Sequence, residues 1–323
     1  MRVLVTGGAG FIGSHYVRTL LSGGYPAFAG AEVVVLDLLT YAGTRTNLPV
    51  DPRLTFVHGD IRDPVMVAAV MPGTDVVVHF AAESHVDRSI SGAADFVSTN
   101  VVGTQVLLQA ALDARVSRFV HVSTDEVYGS IDEGSWPETH PLEPNSPYSA
   151  SKASSDLLAR SYHRTFGLPV CITRCSNNYG PHQFPEKVIP LFVTNLLDGT
   201  KVPLYGDGLN VRDWLHVDDH CHGIQLVAEK GRDGEVYNIG GGTELTNVDL
   251  THRLLAAVGK GEEMIEPVAD RLGHDRRYSV DWTKIADELG YAPRTSFDDG
   301  LAATVRWYAE NRNWWEPLKK RTL

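Results

Sequence analysis

The segment Thr6-Gly7-Gly8-Ala9-Gly10-Phe11-Ile12-Gly13 constrains the fold of this chain more than any other feature. The residues ahead of it, Arg2-Val3-Leu4-Val5, have the apolar, β-branched character of a buried strand, and a helical pattern runs from Phe11 to Leu21. Strand, glycine turn and helix in that order let the backbone turn tightly and approach a pyrophosphate. The anion then sits on the unpaired N–H groups of the helix N-terminus. Gly7, Gly10 and Gly13 are therefore candidate cofactor residues. Asp37 closes the second apolar run. A carboxylate there accepts hydrogen bonds from both ribose hydroxyls of an adenosine and repels a 2′-phosphate, which selects NAD over NADP. Asp60 closes the third run, where a polar group meets the adenine edge.

The β–α alternation continues well past the turn. Strands are expected at 2–6, 32–37, 54–58, 75–80, 118–123 and 170–174, with helices at 11–21, 65–70, 93–114 and 148–166. The strands are nearly continuous in apolar character, as strands buried on both faces are. The pattern predicts an α/β fold with a doubly wound parallel sheet of the Rossmann type and a smaller mixed α/β substrate-binding domain. From Cys175 to Asn210 the chain turns rich in Asn, Pro and Gly, with one helix at 187–197. A helix at 216–229 and a strand at 235–239 return to the sheet. Helices at 247–258, 283–289 and 296–311 form a cap, the first with Asn247 at its N-cap. The expected division is 1–175 with 211–240 for the NAD-binding domain, and 176–210 with 241–323 for the second domain. The final Trp314-Trp315-Glu316-Pro317-Leu318 reads as a packed tail running into a basic end.

Composition removes several classes of function. A net charge of −11 over 323 residues argues against general nucleic-acid binding, which needs a basic surface. The sequence has no apolar run of membrane-spanning length and no leader pattern before the first strand. Cys171, Cys175 and Cys221 are odd in number and lack CxxC spacing, so free thiols in a reducing cytoplasm are expected. His216, His220 and His222 suggest a metal, but the strand-to-helix switch there spreads them over different faces, and no metal is expected.

Tyr148 and Lys152 stand four apart in a helical stretch and so share a face. An ammonium near a phenol favours the phenolate, which makes the tyrosine a base for a hydroxyl. By spacing alone such a pair is an ordinary surface feature. The strand ending at Ser123-Thr124-Asp125-Glu126 gives it context, because ligands of open α/β sheets bind at the carboxyl ends of strands. Adjacent carboxylates in a dry pocket can hold split pKa values, one acid and one base.

These residues resemble the extended short-chain dehydrogenase/reductases: the glycine turn, Asp37, Asp60-Ile61, Asn100, Tyr148 and Lys152 follow that family's order. Over nearly its whole length the chain is similar to one branch, the dTDP-glucose 4,6-dehydratases. The marks are Leu39-Thr40-Tyr41-Ala42-Gly43, the run from His79 to Ser89, Ser123-Thr124-Asp125-Glu126-Val127-Tyr128-Gly129, Asn177-Asn178-Tyr179-Gly180-Pro181, Tyr205-Gly206-Asp207-Gly208 and the run from Asp270 to Tyr278. The Asp-Glu pair is the most telling, since the family's epimerases carry small residues there. The resemblance implies oxidation at carbon 4 of a nucleotide-linked glucose, loss of water across carbons 5 and 6, and reduction at carbon 6 with recycled NAD. It assigns Tyr148 as base at the carbon 4 hydroxyl, tuned by Lys152 and joined by Thr124, with Asp125 as acid and Glu126 as base in the elimination. NAD contacts are implied for Gly7, Gly10, Phe11, Ile12, Gly13, Asp37, Leu38, Thr40, Asp60, Ile61, Phe80, Ala81, Ala82, Ser84, Thr99, Ser123, Tyr148, Lys152 and Asn177. The nucleotide sugar is assigned to Ser84, Thr124, Asn178, Glu186, Lys187, Val188, Pro203, Tyr205, Asn247 and His274, with Arg212 and Arg271 on its phosphates. The second domain then binds the nucleotide sugar. A homodimer is expected through a four-helix bundle, because 93–114 and 148–166 carry more apolar residues than one sheet face needs. An epimerase, a decarboxylase or a non-catalytic NAD-binding regulator remain as alternatives. Leu39, Cys175 and His182 depart from residues common in the family and leave room for a specialised deoxysugar pathway.

Overall fold

The computed structural model describes residues 1–270 and 273–320. Its first half runs β1 (Arg2–Thr6), α1 (Phe11–Leu21), β2 (Glu32–Asp37), β3 (Leu54–His58), α2 (Pro64–Val70), β4 (Val76–His79), α3 (Val86–Ser91), α4 (Ala93–Phe96), α5 (Thr104–Ala114), β5 (Arg118–Thr124), α6 (Pro147–Phe166) and β6 (Val170–Cys175). The second half runs β7 (Asn177–Tyr179), α7 (Val188–Leu197), β8 (Val202–Tyr205), β9 (Val211–His216), α8 (Val217–Lys230), β10 (Val236–Ile239), β11 (Glu244–Thr246), α9 (Asn247–Val258), β12 (Ile265–Val268), α10 (Thr283–Leu289), α11 (Phe297–Glu310) and α12 (Arg312–Lys319).

Seven parallel strands form the main sheet in the order β10-β6-β5-β4-β1-β2-β3. Val3, Leu4 and Val5 of β1 and Val77 and Val78 of β4 are fully buried, because helices cover both faces. β1 lies between β2 and β4, with Val3 level with Val33 on one side and Val76 on the other. The chain winds outward in opposite directions from this strand. The crevice at the carboxyl ends of β1 and β4 is thus the topological switch point, where such sheets bind ligands. β9 joins β7 and β11 in a separate three-stranded sheet, and β12 pairs with β8, so these short strands stand apart from the main sheet. α8 packs against α1, and β10 adds to the edge at β6.

Two expectations need correction. The helix expected over 93–114 is interrupted by a π-helical turn at Val97–Gly103. Asn100 inside that turn is fully buried. Its side chain accepts from the Glu83 N–H and donates to Ser151 Oγ and the Glu83 carbonyl, at 2.8–3.0 Å. A local widening of this kind often marks a functional site. The cap of α9 is Thr246, whose Oγ1 accepts from the Asp249 N–H at 3.1 Å, one residue before the expected Asn247.

A charged ladder fills the space beneath α6. Arg174 and Asp156 are buried and share a hydrogen bond at 2.9 Å from Arg174 Nε. The Arg174 Nη1 donates to Tyr128 Oη at 2.8 Å, and Tyr128 donates to Asn238 Oδ1 at 2.8 Å. His121 Nε2 lies 3.3 Å from Asp156. Burial pushes the Asp156 carboxyl up, but Arg174 and His121 together outweigh it and hold it well below the usual carboxylate range. Asp156→Asn leaves the Arg174 guanidinium buried without its counter-charge and is expected to cost about 3–5 kcal/mol of stability at neutral pH. A depressed carboxyl contributes stability above its unfolded pKa of about 4 and loses it as pH falls toward the folded value. Denaturant unfolding at several pH values should therefore show the gap between variant and wild type closing below about pH 4.

Candidate active site

The glycine turn is shaped for close approach. Gly7 has φ +69°, and a Cβ there would lie 2.5 Å from the Ala81 nitrogen at the end of β4. A Cβ on Gly13 would lie 2.4 Å from the Gly7 carbonyl oxygen. α1 begins at Gly10, which provides no side-chain cap, so the first N–H groups of the helix point to the crevice without a side-chain acceptor. Asp37 accepts the Ala9 N–H at 2.9 Å on one oxygen and the Leu39 N–H at 2.8 Å on the other. Each carboxylate oxygen keeps a second lone pair for a ligand. Burial pushes this carboxyl up, and the two N–H donors oppose the shift. Asp60 is gripped by Arg62, whose Nη2 lies 2.6 Å away.

A cavity of about 700 Å³ runs from this turn across the carboxyl ends of the strands. Its wall includes every residue expected to contact NAD, from Gly7 to Asn177, together with Thr124, Asp125, Glu126, Asn178, Glu186 and Lys187. The buried atoms Asp125 Oδ2 and Asn177 Oδ1 in this wall have no hydrogen-bond partner among the described residues. Glycines that admit a pyrophosphate, a carboxylate at the end of β2 and polar atoms left open along the groove together fit a dinucleotide.

The reactive groups meet at the end of β5. Thr124 Oγ1 accepts the Glu126 N–H at 3.2 Å and lies 3.3 Å from Asp125 Oδ1. Asp125 is 2% exposed. Burial pushes its carboxyl well up, and the negative charges of Glu126 and Asp213 add to that shift against the weaker pull of Arg212. Burial thus favours the neutral form of Asp125. Tyr148 and Lys152 face the same cavity from α6, and the Tyr148 ring rests edge-on to Phe96 at 6.3 Å.

The electrostatics of Tyr148 differ from the sequence expectation. Burial, followed by Glu126, Cys175 and Asp125, pushes its phenol well up rather than down. Lys152 Nζ donates to the Val122 carbonyl at 2.8 Å, and burial lowers its pKa to about 8 against the opposing effect of Asp156. In the protein alone the tyrosine is held neutral. A cationic ring in the cavity would act in the opposite sense to the carboxylates.

The remaining expected contacts are more dispersed. Val188, Pro203, Tyr205, Arg212, Asn247 and His274 do not line this cavity. Arg212 is buried, stacks over Tyr278 at 4.2 Å and donates to the Asp275 carbonyl at 2.9 Å. His274 Nδ1 lies 2.6 Å from Asp270. Val188 packs against the hydrophobic core around α7. Arg271 lies outside the described residues. Tyr41, Arg88 and Phe184 were not assigned from sequence, yet they line the cavity mouth. Arg88 lies 3.8 Å over the Tyr41 ring and 3.2 Å from Glu186. Tyr41 and Arg88 fall within family marks, which was the available signal. His216 accepts the Asp218 N–H at the start of α8, and His220 Nδ1 bonds Asn178 Oδ1 at 2.8 Å. Among the described residues no cluster of three metal-ligating side chains forms.

The pattern of the GDP-mannose 4,6 dehydratase family matches residues 4–304. A dTDP-glucose 4,6-dehydratase of Streptomyces antibioticus is 68% identical over 99% of this chain and 96% of its own length. The crystal structure of DesIV, a dTDP-glucose 4,6-dehydratase from Streptomyces venezuelae with NAD and TYD bound, superposes with a TM-score of 0.97 at 68% identity, covering 98% of this chain and 100% of that one. A UDP-glucose 4-epimerase of Thermotoga maritima shares the fold at a TM-score of 0.89 and 34% identity, covering 97% and 100%.

The Gly13 contact gives a direct test of the cofactor cradle. Gly13→Ala drives a methyl group into the Gly7 carbonyl and should yield folded protein that purifies with little NAD. Denaturing the protein and quantifying released nucleotide per chain checks this; an unchanged NAD content would mean that the turn does not hold the cofactor.

Proposed function

The chain belongs to the GDP-mannose 4,6 dehydratase family, and on that premise we propose how its residues divide the work of the reaction. It is an NAD-dependent hydro-lyase that converts dTDP-glucose to dTDP-4-keto-6-deoxyglucose. The glycine turn, Asp37 and Lys152 would hold NAD, which when bound would supply the oxidising and reducing equivalents at carbons 4 and 6. The reading rests on one observation: two adjacent carboxyl groups, of which burial pushes that of Asp125 well up and favours its protonated form.

The Tyr148 phenol must first lose its own proton to solvent, which Lys152 and a cationic nicotinamide ring would favour. The phenolate then takes the proton from the carbon 4 hydroxyl, and Thr124 hydrogen-bonds the same oxygen. A ketone at carbon 4 acidifies the proton on carbon 5, which Glu126 removes. Asp125 donates its proton to the carbon 6 hydroxyl, which leaves as water. Glu126 then returns a proton to carbon 5. The net reaction releases one water, so the proton that Tyr148 gained from oxygen 4 balances the one that Asp125 gave up. Acid and base roles on neighbouring residues need opposite protonation states, which unequal burial supplies. An epimerase needs no such pair.

The two-lobe division, 1–175 with 211–240 against 176–210 with 241–323, belongs to the same proposal, with the second lobe binding the nucleotide sugar. Arg212 and Arg271 are assigned to its phosphates, and Asn178, Glu186, Lys187, Val188, Pro203, Tyr205, Asn247 and His274 to its nucleotide end. The protein works as a homodimer in the cytoplasm. Val97 and Val102 in the helical run at 93–114 and Leu157 and Phe166 on α6 are about half exposed, and an isologous four-helix bundle would cover them. Sedimentation at micromolar concentration should give a dimer mass, and a monomer would exclude the bundle.

Separate failures of the variants test the chemistry. Tyr148→Phe should abolish turnover of dTDP-glucose. Asp125→Asn loses the general acid and should slow product formation by ~10² to 10⁴-fold. In heavy water Asp125→Asn should still carry deuterium into carbon 5 of the recovered sugar, because Glu126 is intact. Glu126→Gln should be comparably slow and should leave carbon 5 unlabelled by NMR. Wild-type turnover by Asp125→Asn, or labelling by Glu126→Gln, would overturn these roles.

A further inference from the structure

We propose that Trp314, acting through Asn47, positions the cofactor turn, so that the last helix of the chain sets how long NAD stays bound. The inference rests on the cofactor reading above and adds a positioning role to residues far from the chemistry.

The geometry begins at Ala9, a fully buried residue in the middle of the glycine turn. Its N–H is fixed by Asp37 at 2.9 Å. Its carbonyl accepts from the Thr44 N–H at 3.1 Å and from Asn47 Nδ2 at 2.9 Å. That carbonyl shares a planar peptide unit with the Gly10 N–H, which bonds the Gly7 carbonyl at 3.2 Å. Holding the Ala9 oxygen therefore sets the orientation of the peptide that opens α1, where the pyrophosphate binds.

Asn47 is 2% exposed and is engaged on every side. Its backbone N–H bonds the Thr44 carbonyl at 3.1 Å, and its carbonyl accepts from Arg18 Nη1 at 2.7 Å. Its side-chain oxygen accepts from Trp314 Nε1 at 2.9 Å, across 267 residues of sequence. An indole N–H can only donate. It therefore selects the oxygen of the Asn47 amide and leaves the NH₂ end facing Ala9. Without that donor, the Ala9 carbonyl alone orients the amide and nothing holds its oxygen end in place.

The tryptophan is itself rigidly seated. Its ring lies 5.0 Å from Trp307 and 5.4 Å from His182. Next to it, Trp315 is fully buried and donates to the Tyr308 carbonyl at 2.7 Å, while Tyr308 donates to the Gln183 carbonyl. Arg312 and Lys319 clamp the two ends of α12 onto Asp198 at 2.8 and 2.9 Å. Gln183 lines the cavity, so the helix is fixed to the far wall of the crevice and reaches across to the turn on the near wall.

The test measures exchange of bound NAD for labelled NAD, which does not depend on turnover. Trp314→Phe removes the donor and trims the indole to a phenyl ring, a loss of packing that Trp307→Phe controls for; loss of one buried neutral hydrogen bond should speed release about fivefold. Asn47→Ala should release NAD at least as fast, and the double variant no faster than Asn47→Ala alone, because both residues act through one contact. Asn47→Asp keeps the acceptor for Trp314 but faces Ala9 with oxygen, so it too should release NAD faster. Trp307→Phe loosens the same aromatic cluster and should lower thermal stability without changing the exchange rate. Wild-type exchange in Trp314→Phe or in Asn47→Asp, multiplying effects in the double variant, or faster exchange in Trp307→Phe would each overturn the proposal. A wild-type protein that exchanges NAD as expected but leaves dTDP-glucose unchanged would count against the catalytic reading and not against this one.

Discussion

Parallel pairing sets the carboxyl ends of β1, β2, β4, β5 and β6 along one edge, and the groups assigned to cofactor and chemistry stand on or beside that edge. The order of strand addition reverses at β1, so the crevice opens there rather than elsewhere. Gly7 must then pass within a Cβ's reach of Ala81 at the end of β4. Asp37, from β2, pins the turn at Ala9. Thr124 ends β5, Asp125 and Glu126 follow directly from it, and α6 returns Tyr148 and Lys152 to the same place. The chemistry inherits its geometry from strand order.

What the sheet does not decide, burial does. Asp125 and Glu126 are neighbours of the same chemical type, and water would leave both ionised. Desolvation of Asp125, reinforced by Glu126 and Asp213, pushes its carboxyl up and favours its neutral form, as the proposed acid role requires. Burial raises Tyr148 as well, and the nearby carboxylates add to the shift because they oppose a phenolate. The neutral phenol is thus favoured in the chain alone, and a positive charge brought into the cavity would act in the opposite sense. Lys152, lowered to about 8 by burial, stays mostly cationic at neutral pH.

Much of this was legible in the sequence where the signal is local. The strands at 2–6, 32–37 and 54–58 read directly because each is a compact run of β-formers bounded by polar residues. Glycine spacing, Tyr148 with Lys152 and the Asp-Glu pair are likewise local patterns. The short strands β7 and β11 carry too few residues for a period to register, and Asn177-Asn178 reads as loop. The π-helical turn depends on Asn100 bonding to Glu83 and Ser151, and the composition of that helix does not betray it. Thr246 and Asn247 are both capping residues, so only geometry chooses between them. Contacts such as Trp314 with Asn47 or Arg88 with Glu186 join distant segments and leave no periodic trace.

The protonation state of Asp125 in the resting enzyme is the point on which the account turns. Infrared difference spectra between wild-type protein and Asp125→Asn at neutral pH measure it directly. The account predicts a carbonyl band of a protonated carboxylic acid that disappears in the variant and shifts in heavy water. A difference spectrum showing only carboxylate bands would mean that Asp125 is ionised, and the assignment of acid and base to the pair would be wrong.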